Sequence, residues 1–223
     1  MKSIKKTILI SIIPLLGFIV YFSFPTLFHK NNIILENYPK TLDTIESIRK
    51  NIKNKSTEEK GKEFTNLMVN KIFPYWYGTP WNFNGTTKKP NEGKIACGYF
   101  VTTTIEDMGF PINRIKLAQC ASEEMIKDLV SKENIFRFSG ISMEEFEKKI
   151  IKKGNGLYII GLDNHTGFVL VSEQGNYFIH SNGYFPQEVM KEKLSESKII
   201  AKSKYRVIGK ISADKKFLTN WTK

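Results

Sequence analysis

Apolar positions along this chain follow three regimes: an unbroken run, then helical spacing, then a period of two. The unbroken run is Thr7 to Phe28, TILISIIPLLGFIVYFSFPTLF, which carries no charge and comes after a head bearing Lys2, Lys5 and Lys6. A bilayer-crossing helix needs about 20 apolar residues, and membrane helices tolerate prolines such as Pro14 and Pro25. No small-residue cleavage site of A-x-A type ends the run. Residues 1–29 therefore read as an uncleaved signal anchor or transmembrane helix, with a cleaved signal peptide as the alternative. The basic head places the remainder of the chain on the extracytoplasmic side, anchored to the membrane in the cell envelope, or secreted if the segment is removed.

Residues 30–55 are polar and rich in Asn and Lys, a spacer with a helix expected from about Thr41 to Asn51. Ser56 and Glu59 form a capping box, and Phe64, Leu67, Met68 and Ile72 then recur at helical spacing up to Pro74. The segment PYWYGTPWNFNGTTKKPNEGK is too broken by Gly and Pro for a regular element. From Ile95 to Met108 the positions of Cys97, Phe100, Val101, Ile105 and Met108 trace one helix face, stopped by Gly109. Further helices are expected at Ser122–Ser131 and from the Ser142–Glu145 capping box to Gly154. The period then changes to two: Gly156–Leu162, Gly167–Ser172 and Tyr177–Ser181 read as an antiparallel meander. A short helix from Pro186 and a last strand over Tyr205–Ser212 complete the pattern. Helices succeeded by strands predict an α+β domain over residues 56–223.

The 223 residues are 41% hydrophobic, enough for one domain with its own core and too many for a disordered chain. Lysine dominates a net charge of +12, since Arg49, Arg114, Arg137 and Arg206 are the only arginines. These charges are scattered rather than striped and accompany no nucleic-acid motif, so nucleic acid is not an expected partner. They suit a solvated surface, or one held near anionic wall polymers or lipid. Two cysteines make no disulfide framework, and no cluster has metal-site spacing. Dinucleotide and phosphate loops are missing too. No metal or organic cofactor is implied.

Candidate chemistry rests on few residues. Cys97 lies at the start of the most apolar helix after the first segment, where the helix dipole and free N–H groups favour a thiolate. His165 and His180 fall on neighbouring strands, whereas His29 sits at the edge of the apolar run. A thiol, an imidazole to take its proton and a further polar group to orient that imidazole make a nucleophilic site. Each residue also has a structural reading: Cys97 as a small buried hydrophobe, His165 as a solvated loop residue, His180 as a core histidine. The backbone N–H of Cys97 suits a developing oxyanion, with Trp81 or Asn82 as a second donor. Of the aromatics Tyr75, Trp76, Tyr77, Trp81 and Phe83, only Trp81 is expected to face a groove. Cys120 reads as a buried free thiol, or as a disulfide partner of Cys97, which would abolish the nucleophile.

The stretch Gly78-Thr79-Pro80-Trp81-Asn82-Phe83-Asn84-Gly85-Thr86, then Pro90, Gly93 and Ile95-Ala96-Cys97-Gly98-Tyr99-Phe100-Val101, resembles the NlpC-type cell-wall cysteine peptidases of papain-like fold. Their pattern is G-T-P-Y-x-(aromatic)-G-G-T, a short loop, then D-C-S-G-F-V. His165-Thr166-Gly167-Phe168-Val169 is similar to their H-x-G strand, and Phe178-Ile179-His180-Ser181 to the next strand of that family. The resemblance covers roughly residues 75–185. It implies Cys97 as nucleophile, His165 as base and His180 as the residue orienting His165, with Asn182 as the alternative for that last role. The implied activity is hydrolysis of an amide bond, in a cell-wall peptide, through a thioester acyl-enzyme. An acyltransferase or other amidase on the same site, or an inactive membrane-tethered binding module, are the other readings. Three departures stand out: Ala96 and Gly98 replace the family's Asp and Ser, and Trp81 replaces its Tyr.

Overall fold

A computed structural model describes residues 37–223, and Pro39–Lys223 forms the compact unit considered below. The expected anchor lies outside the described residues. Among those described, no helix is long and apolar enough to cross a membrane.

The architecture is α+β. Six strands, β1 (Ile135–Ser139), β2 (Gly156–Leu162), β3 (Thr166–Ser172), β4 (Gly175–Ser181), β5 (Val189–Lys193) and β6 (Tyr205–Lys210), form one antiparallel sheet in the order β1-β6-β2-β3-β4-β5. The central strand β3 is buried along nearly its whole length because both of its faces are covered. Alternation sends Val169 and Val171 to one side, where they meet Phe146 and Ile150 of helix α7 (Met143–Ile151), together with Tyr158, Phe178 and Ile208. Phe168 points to the other side and packs at 5.1 Å on Phe73 and 6.0 Å on Phe100 of helix α4 (Cys97–Asp107).

The helix expected from Thr41 is present as α1, residues 37–51, and within the unit it is no free spacer. Ile45 is buried, and the Arg49 guanidinium donates to the Trp221 carbonyl at 2.8 Å. Helix α2 (Thr57–Leu67) opens on a reciprocal Ser56–Glu59 capping box. Pro74 does not end that helical stretch. The turn widens into a π-helical segment, Met68–Ile72, and a short helix α3 (Phe73–Trp76) restarts with Pro74 at its beginning. A proline N–H is not missed there. The expected helix at Pro186 is also absent: the chain instead runs into β5, completing the sheet beside β4. The pattern further missed β1, α5 (Arg114–Gln119), α8 (Lys198–Lys202) and α9 (Lys215–Trp221), all too short to show a period. Helix α6 (Ser122–Leu129) matches expectation.

Two buried polar side chains tie the periphery down. Arg114 donates to Thr103 Oγ1 at 2.6 Å and to the Thr86 and Thr87 carbonyls at 2.9 Å, holding the Gly- and Pro-rich loop against α4. Asp214, fully buried, caps α9 by accepting the Phe217 N–H at 2.8 Å. Its other oxygen accepts from the Ser131 N–H and Asn134 Nδ2, both at 2.9 Å. Asp214→Ala removes a helix cap and strands the buried Phe217 N–H together with the half-buried Ser131 and Asn134 donors, an expected loss of about 3 kcal/mol. Denaturant titration reads it directly, and a loss below about 1 kcal/mol would show that the carboxylate is not the tie.

Candidate active site

The site forms where the start of α4 meets the turn between β2 and β3. Helix α4 packs on β3 and β4 through Phe100 and Phe168, and this contact sets its first residue, Cys97, beside the start of β3. Ala96, extended at φ −84° and ψ 162°, precedes the helix and offers no side-chain cap for the first-turn N–H groups. The facing turn is equally fixed. Asp163 accepts the Lys204 and Tyr205 N–H groups at 2.8 and 3.1 Å, and the Leu162 N–H donates to the His165 carbonyl at 2.8 Å.

Cys97 and His165 line one cleft of about 790 Å³, together with Trp81, Phe83, Tyr99, Gln119, Tyr184 and Lys202. No hydrogen bond among the described residues joins the Cys97 thiol to the imidazole. Backbone N–H groups of Thr166, Gly98 and Cys97 itself bear on the sulfur instead. His165 Nε2 lies 3.0 Å from His180 Nδ1, with the rings edge to face at 87°. His180 is wholly buried and stacks on Phe178 at 4.0 Å. Gly167 makes the histidine pair possible: a Cβ there would stand 2.9 Å from His180 Cβ and 2.8 Å from the Ile179 carbonyl oxygen.

The other expected residues fall at different distances from this centre. Asn182 does not reach His165; its amide donates to the Pro186 carbonyl at 2.9 Å and its oxygen accepts the Tyr184 N–H at 3.0 Å, which shapes the 182–186 turn. Asn82 turns its side-chain oxygen to the Asn84 N–H at 2.9 Å and is not among the cleft-lining residues. Trp81 does line the cleft, its ring lying over Gly183 and its backbone N–H bonded to the Gln187 carbonyl at 2.8 Å. Phe83, expected to face elsewhere, is 79% exposed on the cleft wall, whereas Trp76 is buried against Phe100. Both cysteines are free, and Cys120 turns its thiol to the Leu117 carbonyl at 3.3 Å.

Sequence reasoning missed Tyr184, Lys202 and, behind His180, Glu192 on β5. The one signal for Glu192 is a strand pattern in Val189–Lys193, and reading Pro186 as a helix start hides it. Among the described residues, no group of His, Cys, Asp or Glu is arranged to hold a metal ion.

Burial decides the resting charge state. It pushes the Cys97 thiol above its ordinary value, outweighing the nearby N–H groups. Burial, with the neighbouring His180, pulls His165 down to about 3. Thiol and imidazole are therefore both uncharged near neutral pH, which reverses the thiolate expected from the helix terminus alone. Comparison with protein-family models, curated proteins and solved structures found no match.

The sign of these shifts makes a measurable expectation. Because the thiol titrates above the usual value of about 8.5, alkylation of Cys97 by iodoacetamide, read by peptide mapping, should be slow near pH ~6 and climb beyond that value. A fast acidic plateau, the mark of a preformed ion pair, would overturn this neutral resting state.

Proposed function

We propose that this domain is a cysteine-nucleophile hydrolase of papain-like fold, related to the NlpC-type peptidases. It cleaves an amide bond in a cell-wall peptide through a thioester acyl-enzyme. The observation that carries the reading is the shared cleft of Cys97 and His165, with His180 Nδ1 3.0 Å behind the His165 ring. A helix-borne thiol, followed in the chain by a histidine in the turn before β3 and another on β4, is the arrangement such a nucleophile needs.

In this reading the scissile carbonyl enters beside Cys97. His165 takes the thiol proton as sulfur attacks, so that the charge moves onto the tetrahedral oxygen rather than resting on sulfur beforehand. The N–H groups at the start of α4, which no side chain caps, receive that oxyanion. No hydrogen bond among the described residues engages the Trp81 indole N–H, which leaves it as a second donor. His165 then protonates the leaving amine, and water attacks the thioester by the same route in reverse. The reading includes attachment to a membrane through residues 1–29 and, in consequence, work in the cell envelope.

Gly98 explains one departure from the family pattern. A Cβ at this position would collide with the Ala118 carbonyl oxygen, because α5 closes on the start of α4. The serine that the related peptidases use there has no room. With Ala96 also lacking a carboxylate, the substrate's amino group finds fewer partners on this wall of the cleft, so the peptide is held differently.

A binding-only reading draws on the neutral thiol, which has no hydrogen bond to His165. Turnover separates the two. Purified domain incubated with cell-wall peptides should release amine-containing products. Cys97→Ala and His165→Ala should each lower the rate by at least about 10³-fold while leaving the fold intact by circular dichroism. Release that persists in Cys97→Ala, or is absent from the parent, would sink the hydrolase.

Gly98→Ser provides a separate check. Restoring the family's serine should cost about 1–3 kcal/mol through the clash with α5, read as a lower denaturation midpoint, rather than improve cleavage. A stable, more active variant would contradict the steric account.

A further inference from the structure

The edge strand β5 brings a carboxylate to the back of the histidine pair. Glu192 stands opposite Phe178 in the β4–β5 register, with Oε1 3.4 Å from His180 Nε2. That nitrogen is buried and has no aligned hydrogen-bond partner, so the carboxylate is the polar group that faces it. Burial raises the Glu192 carboxyl group, but His180 and the Ser197 hydroxyl outweigh it and hold the group below the usual carboxylate range. The neighbouring charges along β5 are occupied elsewhere: Lys191 lies over the Tyr177 ring and Lys193 pairs with Glu196.

We propose that Glu192 is a positioning residue that sets the tautomers of both histidines, as the outer member of the series Cys97, His165, His180, Glu192. The inference rests on the reading of Cys97 and His165 as nucleophile and base. The 3.0 Å contact between His165 Nε2 and His180 Nδ1 holds one proton, and two neutral arrangements satisfy it. In the first, His180 carries its proton on Nε2, towards Glu192. Its Nδ1 then accepts from the His165 Nε2–H, and His165 Nδ1 is left bare to take a proton. In the second, His180 donates through Nδ1, and its bare Nε2 lone pair faces the Glu192 oxygen. His165 then carries its proton on Nδ1 and cannot act as a base from that atom.

A carboxylate at 3.4 Å repels the lone pair of the second arrangement and attracts the N–H of the first. The same charge steadies His165 once the thiol S–H bond breaks, its electron pair passes into the new S–C bond as the carbonyl π electrons move to oxygen, and the proton forms an N–H bond at Nδ1. His180 transmits this influence without giving up or gaining a proton, as a carboxylate does one step closer in a serine triad.

Long-range ¹⁵N NMR of the two ring systems in the full domain reads the tautomers without any need for substrate. The parent should show His180 and His165 both protonated on Nε2 near neutral pH. In Glu192→Ala, His180 should shift towards the Nδ1–H form, and kcat on the cell-wall peptide should fall at least about tenfold with KM nearly unchanged. Glu192→Gln, close in shape, guards against collapse of the alanine variant and should also give mixed tautomers. Glu192→Asp should restore the Nε2–H form in part. Unchanged tautomers in a folded Gln variant, or a parent already protonated on Nδ1 of His180, would overturn the proposal. Absence of turnover in the parent would instead count against the hydrolase, with the NMR result still deciding the role of Glu192.

Discussion

The contact between α4 and the middle of the sheet is the constraint on which this structure depends. Phe100 reaches down from the helix to Phe168 on β3, with Phe73 beside both. These rings carry no polar requirement, so their packing is governed by shape and burial alone. Once they interlock, the first turn of α4 has one place to be, at the start of β3 where the chain has just left His165. A thiol and an imidazole distant in sequence thus meet on one cleft as a by-product of core packing. The polar ties of Arg114 to the 86–87 loop and of Asp163 to the start of β6 close the two sides of that cleft.

The same burial that locates the site sets its electrostatics. A helix terminus stabilises a thiolate by a fraction of a charge, worth about 0.3–1 kcal/mol at an exposed position. Removing the sulfur and the imidazole from water works against charge on either, and here it dominates. A site of this kind stores no ion pair at rest. In the proposed hydrolase, charge would develop only as a substrate carbonyl arrives to receive it.

The sequence made the central parts of this arrangement legible because they leave periodic or chemical marks. The capping box at Ser56, the helix face through Cys97, Phe100, Val101 and Ile105, and the strands between Gly156 and Ser181 are all realised nearly where expected, although β2 and β3 are buried on both faces. The histidine pair is legible for the same reason, since two adjacent antiparallel strands bring residues near their shared end together. What escapes is short or tertiary. β1 and β5 have five residues each, too few for a period to stand out from noise. Pro74 reads as a stop because a propensity argument takes no account of a widened turn that renews the helix. The charge state of Cys97 escapes because the helix dipole is visible in a sequence and burial is not.

Glu192 shows how the two kinds of blindness compound. Reading Pro186 as a helix start removes β5 from the expected sheet, and with it the neighbour that faces the hidden side of His180. The first three members of the series can be found by asking which residue types make a nucleophile. The fourth is found only by asking where the second nitrogen of a fully buried imidazole sends its proton, since a buried N–H without an acceptor costs about 1–3 kcal/mol. That question has an answer only when the strand order is known. In this fold the strand order β3-β4-β5 is also the order His165, His180, Glu192. The sheet that forms the core therefore also carries the polar line leading out from the cleft, from the turn at the start of β3 to β4 and then β5.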